Sequence, residues 1–166
     1  MGVNKLKRFF VTFIATAAGS GFTPKAPGTA GTVIGVLLAY CLRDWSFELQ
    51  AIFWLLLFLV GWWATLQWSR AVQSSDSQKI VIDEVLGYLL ALGTLPRTAE
   101  ILLFQFILFR VFDSLKPPPI RQFDLWGKNF KIGPAQSFMV IFDDLLAGLA
   151  SLLFFLLLRN LGMISV

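Results

Sequence analysis

The chain has 166 residues, 57% of them hydrophobic and 14% charged, with a mean hydropathy of +0.72. A soluble domain runs at roughly 45–50% apolar and about 25% charged, so the composition points away from a water-soluble globule and towards one lipid-embedded domain over 1–166, although Val85–Leu95 and Ile101–Phe109 are short enough to be soluble core helices instead. The formal charge of +4 is spread over loops beside apolar blocks, where anionic headgroups explain it more simply than nucleic acid.

Residues 4–18 open with Lys5, Lys7 and Arg8 and continue as the apolar run Phe9–Ala18. They read as an amphipathic interfacial helix with its lysines among headgroups, not as a cleaved signal, because the run leads straight into a glycine-proline loop. That loop, Gly19–Gly31 (GSGFTPKAPGTAG), carries Lys25 and Thr29. Its end, Pro27-Gly28-Thr29, opens a helix whose first N–H groups favour an anion. No P-loop register is present, and a tight interfacial turn would have the same composition.

Apolar blocks then predict spans near 29–42, 48–69, 84–95, 99–112 and 141–159. The second, uncharged from Leu49 to Trp68, covers about 30 Å as a helix, the thickness of the hydrocarbon core. The third is short for a full crossing. Cys41, the single cysteine, lies at the end of the first block and reads as packing; no disulfide can form within the chain. A polar stretch, Arg70–Lys79, precedes Ile80-Val81-Ile82-Asp83-Glu84. Arg110, Asp113 and Lys116 follow at i, i+3 steps on one helix face, stopped by Pro117-Pro118-Pro119. A second polar island runs from Asp113 to Gln136, and Asp143-Asp144 interrupts the last apolar block. The predicted fold is therefore all-α, a polytopic membrane bundle with an N-terminal interfacial helix.

Asp83, Glu84, Asp143 and Asp144 lie inside or against apolar helices. A charge there costs several kcal/mol, on the order of 3 on the gentlest scales, and adjacent carboxylates oppose each other's ionisation. Helix N-capping explains Asp83 or Asp143 singly, but explains two pairs poorly. A divalent cation explains both at once, and magnesium is a hard ion that takes carboxylate oxygens. Asp113 joins this set as a metal ligand, with Arg110 and Lys116 as phosphate-binding cations beside it; a salt-bridged helix terminus is the alternative. Charge placement orients the chain: Arg43, Arg97 and Arg159 fall on one side, and the other eleven of the fourteen Lys and Arg on the side of the acids. The acid-bearing loops are thus expected in the cytoplasm.

Four blocks carry a family resemblance: Pro24-Lys25-Ala26-Pro27-Gly28-Thr29; Ile80–Gly87; Phe109-Arg110-Val111-Phe112-Asp113-Ser114-Leu115-Lys116-Pro117; and Asp143-Asp144-Leu145-Leu146-Ala147-Gly148. In this order they resemble the signature blocks of phosphatidylglycerophosphatase A. The resemblance implies a mostly helical fold and a magnesium-dependent activity. It further implies that the substrate is phosphatidylglycerophosphate, converted to phosphatidylglycerol at the bacterial inner membrane. One departure is local: the family is usually glycine-rich before the paired aspartates, and here the chain reads Gly133-Pro134-Ala135-Gln136-Ser137-Phe138, which brings Gln136 forward as a substitute donor.

Elimination narrows the mechanism. The chain has no histidine, so a phosphohistidine or a histidine base is impossible. Cys41 lacks the arginine of a cysteine-phosphatase loop, and no D-x-D-x-T stretch exists. What remains is water activated by metal, with Lys and Arg neutralising phosphoryl oxygens; an aspartate nucleophile in another setting stays open. Expected catalytic residues are Asp83, Glu84, Asp113, Lys116, Asp143 and Asp144. Lys25, Thr29, Arg110 and Lys116 are expected to bind phosphate, and the five acids to bind magnesium. The competing class is a small transporter or ion-binding bundle. It predicts carboxylates spread through the depth of the spans, whereas here they gather at one end.

Overall fold

The computed structural model describes residues 2–74 and 77–164; Ser75 and Asp76 of the Arg70–Lys79 stretch lie outside the described residues. Among these, the elements are α1 (Gly2–Ala15), a 3-10 turn (Ser20–Phe22), α2 (Pro27–Cys41), α3 (Phe47–Val72), α4 (Ile82–Leu92), α5 (Ala99–Leu115), α6 (Ile120–Gly127) and α7 (Pro134–Asn160), with no strand.

Local chemistry explains the boundaries. Pro27 and Pro134 occupy first-turn positions, where a missing N–H costs nothing. Ser46 and Thr98 cap α3 and α5, accepting from the N–H of Leu49 and Ile101. Lys116 ends α5 in the left-handed region at φ 41, immediately before Pro117.

Helix α4 is the axis of the bundle, and nine of its eleven residues are buried. It runs between α2 and α7, and glycines set those distances. A Cβ on Gly148 would fall 2.2 Å from the Gly87 carbonyl oxygen, and one on Gly31 would fall 2.7 Å from Val81 Cβ. Trp54 Nε1 donates to the Leu86 carbonyl at 3.1 Å, and the Tyr88 hydroxyl donates to the Leu102 carbonyl at 2.8 Å. These bonds tie α3 and α5 to the same axis.

Among the described residues two helices, α3 and α7, are long and apolar enough to cross a membrane, with 18-residue stretches of mean hydropathy 1.9 and 2.2. The outer side of α3 exposes Leu49, Ile52, Leu55, Leu56 and Leu59, which suits lipid rather than water. Helix α1 lies against α3 through Val11 and Ala15, and exposes Leu6, Phe9, Phe10 and Phe13.

The structure revises several boundaries. α4 stops at Leu92 and, at about 1.5 Å per residue, is half the length of a full crossing. α7 starts at Pro134, seven residues before the expected 141, so Asp143 is its tenth residue and cannot be an N-cap. The second polar island also contains a helix, α6, for which its composition gives no span.

Candidate active site

The chain reversals at one end of the bundle bring four elements together. The first turn of α4 carries Asp83 and Glu84, and the third turn of α7 carries Asp143 and Asp144. The end of α5 brings Arg110 and Asp113, followed by Lys116. The start of α2 brings Pro27, Gly28 and Thr29, preceded by Lys25. All of these line one cavity of about 500 Å³, closed on a further side by Asp124, Gly127 and Lys128 of α6 and by Gln136, Met139 and Val140 of α7.

At its floor, Asp83, Glu84 and Asp144 each offer an oxygen within 4.8 Å of the others, the one such grouping among the described residues. Asp83 is 8% and Asp144 4% exposed. Glu84 Oε2 and Asp144 Oδ2 are buried with no hydrogen-bond partner. Buried carboxylate oxygens without a donor are costly. Two such oxygens converging with the Asp83 carboxylate, which accepts from the Glu84 N–H at 3.1 Å, form the donor set of a hard divalent cation. The cavity's acids outnumber its cations, six (Asp83, Glu84, Asp113, Asp124, Asp143, Asp144) against four (Lys25, Arg110, Lys116, Lys128). The deficit has the sign and size that one divalent ion removes.

The other two expected metal ligands are differently engaged. Asp113 Oδ2 lies 2.7 Å from Arg110 Nη1, and Asp143 is in direct contact with Lys116 Nζ. The structure therefore divides the five acids into a three-oxygen floor and two carboxylates that hold cations around it. Lys116 is held from a second side as well, since its Nζ also reaches Asp124 Oδ1 at 3.2 Å. Burial alone would lower the pKa of its ammonium, but Asp143, Asp144 and Asp124 outweigh that and hold it above the ordinary lysine value. Asp124 is the converse case: burial pushes its carboxyl up, while Lys128 and Lys116 hold it below the usual carboxylate value. Lys25 and Thr29 stand at the cavity's wall and rim, with Lys25 exposed.

Four contributors lie outside the residues expected to be catalytic, phosphate-binding or metal-binding. Gly28 is one: a Cβ there would sit 2.3 Å from Glu84 Oε1 and 3.3 Å from Arg110 Nη1, so α2 can approach the carboxylate floor this closely only through a glycine. Thr32 donates to the Gly28 carbonyl at 2.9 Å and accepts from Arg110 at 3.5 Å. Asp124 and Lys128 are the other two. Their i, i+4 spacing in a short amphipathic run was the available signal.

The sequence model of Phosphatidylglycerophosphatase A matches residues 13–159. The chain belongs to the phosphatidylglycerophosphatase A family. It is 35% identical over 144 residues to the phosphatidylglycerophosphatase A of Haemophilus influenzae, covering 84% of this chain and 82% of that one. Identity to the Escherichia coli K12 phosphatidylglycerophosphatase A is 30% over 139 residues, 83% and 77% of the two chains. A Bacteroides thetaiotaomicron protein, provisionally named a phosphatidylinositol-3-phosphatase, is 33% identical over 156 residues, 89% and 92% of the two. No solved structure matches.

Proposed function

We propose that this protein is a single-domain, multi-pass enzyme of the bacterial inner membrane. In this reading it hydrolyses phosphatidylglycerophosphate to phosphatidylglycerol and phosphate, at a site facing the cytoplasm. The observation that carries the reading is the three-carboxylate floor of Asp83, Glu84 and Asp144 in a cavity ringed by lysine and arginine. Family membership supports the reaction class.

Asp83, Glu84 and Asp144 would hold magnesium, with Asp113 and Asp143 beside them. Bound magnesium supplies a Lewis acid that activates water and offsets phosphoryl charge. Arg110 is oriented by Asp113 and Thr32, so its guanidinium is presented with little freedom to lose on binding phosphate. Lys116, fixed by Asp143 and Asp124, is set to neutralise phosphoryl oxygens, and Lys25 closes on them from the α2 side. Water adds to phosphorus as the bond to the glycerol oxygen breaks, and that oxygen takes up a proton. With no histidine in the chain, proton transfer falls to the cavity carboxylates and water.

The test is phosphate release by purified protein from phosphatidylglycerophosphate, phosphatidate and phosphatidylinositol 3-phosphate in mixed micelles. Phosphatidylglycerophosphate is expected to be the preferred substrate. Preference for the inositol lipid would instead place the chain with its Bacteroides relative.

A further inference from the structure

A chain of charges leads from the cavity floor to its rim. Asp143 holds Lys116, Lys116 Nζ lies 3.2 Å from Asp124 Oδ1, and Asp124 Oδ2 lies 2.9 Å from Lys128 Nζ. Its inner end is the most enclosed and its outer end the most open: side-chain exposure is 8% at Asp143, 28% at Lys116, 19% at Asp124 and 52% at Lys128. The two ammonium groups are thus held apart by the two oxygens of a single carboxylate, one deep and one at the mouth. Both line the cavity.

We propose that Lys128 binds the phosphodiester of the lipid substrate, so that Lys116 and Lys128 together read two anions joined by a short polyol. This rests on the reading of the site as a phosphatidylglycerophosphate phosphatase. That lipid carries a terminal phosphomonoester and, across three carbons, a phosphodiester that links it to the diacylglycerol. The monoester is the group that must reach the carboxylate floor. The diester remains nearer the mouth, where Lys128 stands.

Two further features place Lys128 for this task. Helix α6 exposes Leu125 and Trp126 at 53% and 55% on its outer side, which suits the level where headgroups meet hydrocarbon and where a lipid's phosphodiester lies. Its position is also fixed: a Cβ on Gly127 would fall 2.8 Å from Met139 Cβ, so α6 is seated directly on α7. Lys25, the other exposed lysine of the cavity, has no carboxylate holding it at a set distance from Lys116 among the described residues. Asp124 is accordingly a positioning residue, which spaces the two cations and yields Lys128 to the incoming diester.

The products separate the two anions, since phosphatidylglycerol keeps the diester and inorganic phosphate resembles the monoester. Turnover of a short-chain phosphatidylglycerophosphate is measured with each product as inhibitor, in wild type, Lys128→Gln and Lys128→Arg. Lys128→Gln is expected to raise the Ki of short-chain phosphatidylglycerol about tenfold, the loss of one charge-assisted hydrogen bond. The Ki of phosphate is expected to stay within about twofold, and Lys128→Arg to restore the first constant. An unchanged phosphatidylglycerol Ki in Lys128→Gln, or an equal rise in both constants, overturns the inference while leaving the activity in place. Absence of wild-type turnover overturns the underlying reading and this inference with it.

Discussion

Gly28→Ala separates the geometry of the floor from the stability of the fold. The added methyl would lie 2.3 Å from Glu84 Oε1, well inside van der Waals contact. The obstructing atom is the end of a flexible side chain, so the fold can relieve the clash by swinging the Glu84 carboxylate aside, by roughly 1 Å. A displacement of that size at a reacting centre costs about 100-fold in rate. Alanine in place of glycine in a helix favours folding by up to about 1 kcal/mol, so the melting temperature is expected to be unchanged or slightly higher. The assay pairs phosphate release with thermal melting in detergent, across a magnesium titration. The variant should need more magnesium and lose about 100-fold in kcat/KM while melting like wild type. Gly31→Ala is the contrast, because its methyl meets the Val81 backbone oxygen at 2.9 Å and Val81 Cβ at 2.7 Å; there the melting temperature should fall. Retention of activity within threefold by Gly28→Ala would refute the placement of Glu84 in the floor.

Further outcomes follow from the same geometry. Asp83→Asn, Asp143→Asn and Asp144→Asn should each lose nearly all turnover while folding normally, and EDTA should abolish wild-type activity reversibly; full activity in EDTA rules out the metal. Lys116→Met should lose about 100–1000-fold in turnover and also melt lower, because it strands the buried carboxylate of Asp143. Lys25→Met, on an exposed lysine, should lose similar or less activity with no change in melting; wild-type rates in both lysine variants would mean they do not touch phosphate. Single cysteines at residues 20–30 or 120–135 in a Cys41→Ser background should resist a membrane-impermeant thiol reagent on intact spheroplasts, and labelling without lysis would reverse the topology.

Sequence reading succeeded where one strong cost or one local rule decides. The expense of charge in apolar blocks singled out Asp83, Glu84, Asp143 and Asp144, and all four line one cavity. The i, i+3 rule brought Arg110 beside Asp113, where the structure has an ion pair. It failed where distant segments meet. Lys116 and Asp143 are 27 residues apart, and nothing in either segment marks the other. Helix α6 has four apolar positions in eight residues, too short a run to give a span signal. The early start of α7 was hidden by Gln136 and Ser137, which look like loop but are buried against the bundle. Pro27-Gly28-Thr29 was legible as an anion-favouring helix start, but the close approach of Gly28 to Glu84 depends on a neighbour from α4 that its own segment does not show.

The central claim, that Asp83, Glu84 and Asp144 hold a divalent cation, is tested most directly by binding rather than turnover. Manganese(II), a hard-ligand substitute for magnesium, is titrated into chelator-stripped protein and the free ion is read by electron paramagnetic resonance. Wild type should show saturable binding that magnesium displaces. Asp144→Asn should weaken it at least about 100-fold, while Asn at Asp44, an acid whose side chain is 81% exposed at the far end of the bundle, should leave it unchanged. Equal affinity in wild type and Asp144→Asn would contradict the account.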